Sequence, residues 1–142
     1  MAKITTDQAE VLLDEGATYV DVRTEEEFAD GHVPGAINIP VNFMAPGGMK
    51  PNEHFVDVMS ATFEKEQLLI VGCKAGGRSA RATALLEQAG FSRIHDMSAG
   101  FHGSKDAFGQ VTPGWHTEGR EVEVEAEADQ TYQGVLKLTK KA

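Results

Sequence analysis

Short apolar runs alternate along the chain with stretches whose apolar residues recur every three or four positions. That pattern predicts an α/β domain built on a mainly parallel sheet. Asp7 is placed to cap a first helix reaching about Glu15, with Ala9, Leu12 and Leu13 on its inner face and Gly16 ending it. Residues 18–22 read as a strand, and Thr24 then opens an acidic turn of helix, Glu25-Glu26-Glu27-Phe28, suited to the positive end of a helix dipole. Residues 31–35 form a loop, followed by a short strand over 36–39 that Pro40 stops. The segment 42–51, rich in Gly, Pro and Met, reads as a mobile excursion. Phe55, Val58, Met59, Thr62 and Phe63 then fall on one helical face. Residues 68–71, Leu-Leu-Ile-Val, have the signature of a central buried strand. A helix follows to about Ala89, with Ala82, Leu85, Leu86 and Ala89 inward, and then a strand over 93–97 and a tight turn over 98–100.

Periodicity fades between Phe101 and Gly119, where Pro113-Gly114-Trp115 marks a turn with an aromatic anchor. Residues 121–128 alternate strictly between acidic and small apolar groups. They read either as an edge strand paired in a hairpin with residues 132–138, or as a solvated, partly disordered acidic tail.

Composition narrows the function. The chain has 142 residues, 41% of them hydrophobic, which is enough for one domain core and too apolar for disorder. Its net charge of −9 disfavours nucleic-acid binding, because phosphates would be repelled by the average surface. No apolar run approaches the ~20 residues of a membrane span, and the N-terminus lacks an apolar signal core, so a cytoplasmic protein is expected. Cys73 is the single cysteine, which excludes an intrachain disulfide, and the scattered histidines (His32, His54, His95, His102, His116) lack metal-ligand spacing. No metal and no cofactor is expected.

Chemistry concentrates in residues 72–79, Gly-Cys-Lys-Ala-Gly-Gly-Arg-Ser, between the central strand and the next helix. Ligand sites of open parallel sheets lie at that edge. Gly76 and Gly77 allow a loop that turns successive backbone N–H groups inward, making an anion-binding nest backed by the helix terminus. Those donors, with Lys74 and Arg78, favour the thiolate of Cys73, the nucleophilic form. A free cysteine is more often an inert buried residue, but such a residue has no need of a glycine- and cation-rich loop.

Three motifs occur in order: residues 21–28, Asp-Val-Arg-Thr-Glu-Glu-Glu-Phe; residues 31–40, Gly-His-Val-Pro-Gly-Ala-Ile-Asn-Ile-Pro; and residues 73–79. Together they resemble the single-domain rhodaneses, the thiosulfate sulfurtransferase-like family, over roughly residues 4–122. The resemblance implies a three-layer α/β/α sandwich around a five-stranded, mostly parallel sheet, with residues 123–142 as a C-terminal extension dispensable for catalysis. It implies that Cys73 takes sulfane sulfur from thiosulfate or a similar donor as a persulfide. Cyanide, a thiol or a protein cysteine would then accept that sulfur. The loop Lys74, Ala75, Gly76, Gly77, Arg78 and Ser79 would bind the substrate, its amides holding the persulfide and Lys74 and Arg78 attracting the anionic donor. Asp21 and Arg23 are expected to form a supporting ion pair near the loop, and His32 to tether its own loop. Glu25 to Glu27 read as a solvated helix face. Phe43, Met44 and Met49 read as an apolar wall beside the mouth or as ordinary loop packing, and Phe101 and His102 as a border of the pocket. Residues 104–112 look like an insertion relative to the family pattern. A catalytically quiet sulfur carrier or redox-sensing module is the alternative. A rhodanese-fold phosphatase is a further one, but its pattern places Arg six positions after Cys, whereas Arg78 is five after Cys73.

Overall fold

A computed structural model describes residues 2–140. Five parallel strands form the central sheet: β1 (Ala2–Ile4), β2 (Thr18–Asp21), β3 (Ile37–Asn38), β6 (Leu69–Gly72) and β7 (Ile94–Met97), in the order β1-β7-β6-β2-β3. The all-apolar β6 lies at the centre and is buried along its whole length, as a strand covered on both faces should be. Successive residues of β2 and β6 point to opposite faces. Val20, Leu69 and Val71 thus meet one apolar cluster, while Tyr19 and Ile70 meet another.

Helices α3 (Phe55–Thr62) and α4 (Gly77–Gln88) cover the first face, through Phe55, Val58, Met59, Ala82 and Leu86. Helices α1 (Thr6–Asp14) and α2 (Glu25–Asp30) cover the second, through Ala9 and Phe28. This is the expected three-layer sandwich.

Four local features differ from the sequence expectations or go beyond them. Thr5, not Asp7, caps α1: its side chain accepts from the Gln8 amide while Gln8 reaches back to the Thr5 amide, a reciprocal box that outcompetes a lone carboxylate. Asp7 instead lies in the first turn and pairs with Arg120. Strand β1 carries no sequence signal, since three residues are too few to show a period. The supposed mobile excursion is an antiparallel hairpin, β4 (Asn42–Ala45) with β5 (Gly48–Pro51), whose Pro46-Gly47 turn reverses the chain. A second hairpin, β8 (Gly103–Lys105) with β9 (Val111–Pro113), fills most of the stretch without periodicity and leads to the buried Trp115.

The C-terminal segment is neither a hairpin nor a disordered tail. Residues 121–127 run exposed along the body, held by a bridge in which His32 and Glu123 exchange backbone bonds of 2.8 and 2.9 Å, by Trp115 Nε1 donating to the Glu121 carbonyl at 2.7 Å and by the Gly35 amide donating to the Glu123 carboxylate at 3.1 Å. Helix α5 (Tyr132–Lys140) then packs on α3. Beyond the Glu123 bridge, residues 121–128 pair with no strand, and Tyr132, Val135 and Leu136 carry helical rather than strand spacing. Thr131 caps the helix by accepting from the Gly134 amide at 3.1 Å. Tyr132 and Val135 are 5% and 2% exposed and belong to the same cluster as β2 and β6.

Candidate active site

The site forms where β6 ends and α4 begins. Gly76, the residue before α4, has φ of +103°, and a side chain there would collide with the Ser98 carbonyl, so only glycine fits. This turn aims two amides at one sulfur: Gly76 N–H donates to Cys73 Sγ at 3.1 Å and Ser79 N–H at 3.3 Å. The loop carbonyls are turned the other way by the chain after β7. Phe101 N–H donates to the Cys73 carbonyl at 2.7 Å, and His102 N–H to that of Lys74 at 2.9 Å. Gly100 permits this approach, since at φ +74° an added Cβ would stand 2.5 Å from the Lys74 oxygen. With carbonyls outward and amides inward, at the positive end of a three-turn helix, the loop is a site for negative charge on sulfur.

Cys73 is 1% exposed, so only a slim group reaches its sulfur without displacing the loop. Lys74, Ala75 and Gly77 are exposed around it. Among the described residues Lys74 makes no ion pair, which leaves its charge available to solvent and solutes.

Arg78 is differently employed from the expectation. Its guanidinium donates to both oxygens of Glu27, at 2.6 and 3.0 Å, and so braces α4 against α2 with its charge largely matched. Glu27 is correspondingly not part of a solvated face. It also accepts from the Thr24 amide, completing the capping box of α2. Burial alone would push the Glu27 carboxyl up, but the two Arg78 hydrogen bonds, the Arg78 charge and the Thr24 donors bring it down to about 2. Because this group is depressed in the folded state, its stabilisation is complete above pH 4.5 and disappears as pH falls to about 2. Urea unfolding of wild type and Glu27→Gln should therefore differ most at neutral pH and converge across that interval. A constant difference would show that the pair does not carry this stability.

Asp21 and Arg23 meet as a buried ion pair, Arg23 Nη2 lying 2.7 Å from Asp21 Oδ2. Arg23 also donates to the Gly31 carbonyl at 2.7 Å and lies 4.4 Å over the Phe101 ring. The pair thereby links the β2 end to the chain that backs the cysteine loop. His32, fully buried, stacks on Phe28 and contacts the Phe28 carbonyl through Nδ1 at 2.9 Å, tying its loop to α2. His102 and His116 face each other at the base of the β8–β9 hairpin, ring nitrogens 2.8 Å apart. Phe43 packs against Tyr132, whereas Met44 and Met49 are exposed on their hairpin.

Two residues of the site were not anticipated. Glu27 was legible in part, because Thr24-x-x-Glu27 is a capping-box signature, although spacing alone does not say which cation it meets. Asp96 is the other. It is fully buried on β7 and contacts Ser79 Oγ at 2.7 Å. Its signal was a carboxylate lying between Ile94 and Met97 in a short strand.

Comparison with known proteins places this architecture. The family model described as a Rhodanese-like domain matches residues 5–107, and the chain belongs to that family. It is 41% identical over 100 residues to Thiosulfate sulfurtransferase 16, chloroplastic, of Arabidopsis thaliana, covering 70% of this chain and 83% of that protein. To Thiosulfate sulfurtransferase 18 of the same plant it is 34% identical over 103 residues, covering 71% and 76%. In fold it resembles the crystal structure of Rv0390 from M. tuberculosis, with a TM-score of 0.71 at 24% identity, covering 88% of this chain and 98% of that one. The family and these relatives make the chain a sulfurtransferase of the rhodanese type. Among the described residues no helix is long and apolar enough to cross a membrane.

Proposed function

We propose that the protein moves sulfane sulfur from thiosulfate to a thiol, a protein cysteine or cyanide through a persulfide on Cys73. The observation that carries this reading is the pair of inward amides on Cys73 Sγ at the start of α4. In the first half-reaction the Cys73 thiolate attacks the outer sulfur of thiosulfate, the S–S bond breaks, and sulfite leaves with the bonding electron pair. In the second, the acceptor attacks the terminal persulfide sulfur, and Cys73 departs as a thiolate held by the same amides. The deep position of Cys73 suits a terminal sulfur atom better than a phosphate monoester, whose tetrahedral group would need several donors around a wider ring.

Lys74 supplies the exposed charge that draws in the dianion, while Glu27 offsets that of Arg78. Lys74→Ala should therefore raise the KM for thiosulfate with little change in kcat. Glu27→Gln should lower KM, because it uncovers the Arg78 charge beside the loop. Both effects should shrink as salt is added. Steady-state turnover of thiosulfate with cyanide measures all three. Efficient hydrolysis of aryl phosphates by the wild type, with no thiosulfate turnover, would overturn the reading.

A further inference from the structure

Asp96 belongs to no step above, yet its surroundings are chemically specific. It is completely buried, and Oδ2 has no hydrogen-bond partner among the described residues. Oδ1 lies 2.7 Å from Ser79 Oγ, and that same hydroxyl oxygen lies 3.2 Å from the Gly76 carbonyl oxygen. A serine hydroxyl has one hydrogen to give and can accept besides. An ionised Asp96 would compete with the Gly76 carbonyl for that hydrogen, leaving two acceptors around a single donor. It would also bury a charged oxygen without a partner, a costly arrangement. A protonated Asp96 resolves both conflicts. The acid donates to Ser79 Oγ, Ser79 donates to the Gly76 carbonyl, and the bare Oδ2 becomes a neutral carbonyl oxygen.

We propose that Asp96 is held as a neutral carboxylic acid, and that the chain from Asp96 through Ser79 to the Gly76 carbonyl fixes the two amides facing Cys73 Sγ. Asp96 is thus a positioning residue, acting through Ser79 and Gly76, the two residues whose N–H groups hold the sulfur. Its role in sulfur transfer rests on the reading of Cys73 given above, whereas its protonation state does not. The groups facing it are Ser79 on α4, Lys3 on β1 and Tyr19 on β2. Burial pushes the Asp96 carboxyl above the ordinary aspartate range, against the pull of the Ser79 hydroxyl and the Lys3 charge. Tyr19, itself pushed well up by burial, is a neutral phenol.

The infrared difference spectrum between wild type and Asp96→Asn, at neutral pH and without substrate, tests the protonation state directly. The wild type should show the carbonyl stretch of a protonated carboxylic acid, and Asp96→Asn should lack it. A carboxylate signal alone in the wild type would overturn the proposal. Folding supplies a second readout. A buried acid held neutral loses stability as pH rises from its ordinary value through its raised one, so Asp96→Asn should gain in Tm relative to wild type as pH rises above 3.8. A flat difference would count against the neutral acid.

Turnover tests the positioning role. The asparagine amide can donate to Ser79 Oγ as the acid does, so Asp96→Asn should keep kcat/KM within about twofold. Asp96→Leu cannot, and should lose about tenfold or more through misplaced amides. Ser79→Ala, which keeps its amide and alters little volume, should match that loss if the leucine variant fails to fold. Wild-type turnover in Ser79→Ala would remove the positioning role. Absence of sulfur transfer in the wild type would instead count against the reading of Cys73, with the infrared result still deciding the state of Asp96.

Discussion

Replacing Cys73 with serine is expected to abolish sulfur transfer, by at least ~10³-fold in kcat, while the fold survives. Cys73 is the only thiol in the chain, so no neighbouring cysteine can take over the persulfide. A serine hydroxyl is far less acidic than a thiol, and the Gly76 and Ser79 amides cannot make up that difference. The substitution is small and leaves the backbone bonds from Phe101 and His102 to the loop carbonyls in place, so thermal unfolding should shift little. Comparing thiosulfate–cyanide turnover and Tm of the two proteins checks both halves. Substantial turnover by the serine variant would exclude the covalent route.

The second large effect concerns stability. A chain ending at Ala126 lacks α5, and with it the buried Tyr132 and Val135. Burying two such side chains contributes roughly 3–6 kcal/mol. That is a large share of the ~5–15 kcal/mol that holds a typical domain folded. The Tyr132 hydroxyl also accepts from Asn52 Nδ2 at 3.1 Å, and the same amide group donates to the Pro40 carbonyl at 2.8 Å, anchoring the chain after β3. Truncation should therefore lower Tm by about 10 °C or more, or prevent folding at 37 °C. Tyr132→Ala should reproduce much of the loss, ~3–5 kcal/mol by analogy with other aromatic truncations. An unchanged Tm in both would mean that α5 is an appendage to the fold.

The error over α5 shows where the sequence stops being informative. Strict alternation over residues 121–128 is a strand signal only if a sheet edge is free to receive it. That segment stays exposed, and its strand-like pairing is limited to the single backbone bridge between Glu123 and His32. By contrast, β2, β6 and α3 were legible because burial on both faces of a strand, or on one face of a helix, leaves a strong periodic imprint. The cysteine loop was legible because its glycines, cations and lone thiol have few structural reasons to occur together. Long-range pairing leaves no such imprint. That Arg78 meets Glu27, 51 positions away, follows from the packing of α2 beside α4, and it changes the electrostatic picture from two free cations to one. Asp96 is a similar case. Its carboxyl matters because the fold brings β7 under the first turn of α4, a relation not recorded in the local sequence of either element.

The central claim, that Cys73 carries the sulfur, is tested most directly by intact and peptide mass spectrometry of the wild type after brief exposure to thiosulfate. The account requires a gain of one sulfur atom per chain, confined to the peptide containing Cys73 and removed by cyanide with formation of thiocyanate. Thiocyanate production with the protein mass unchanged in the thiosulfate-treated state, or a sulfur adduct that cyanide cannot discharge, would contradict it.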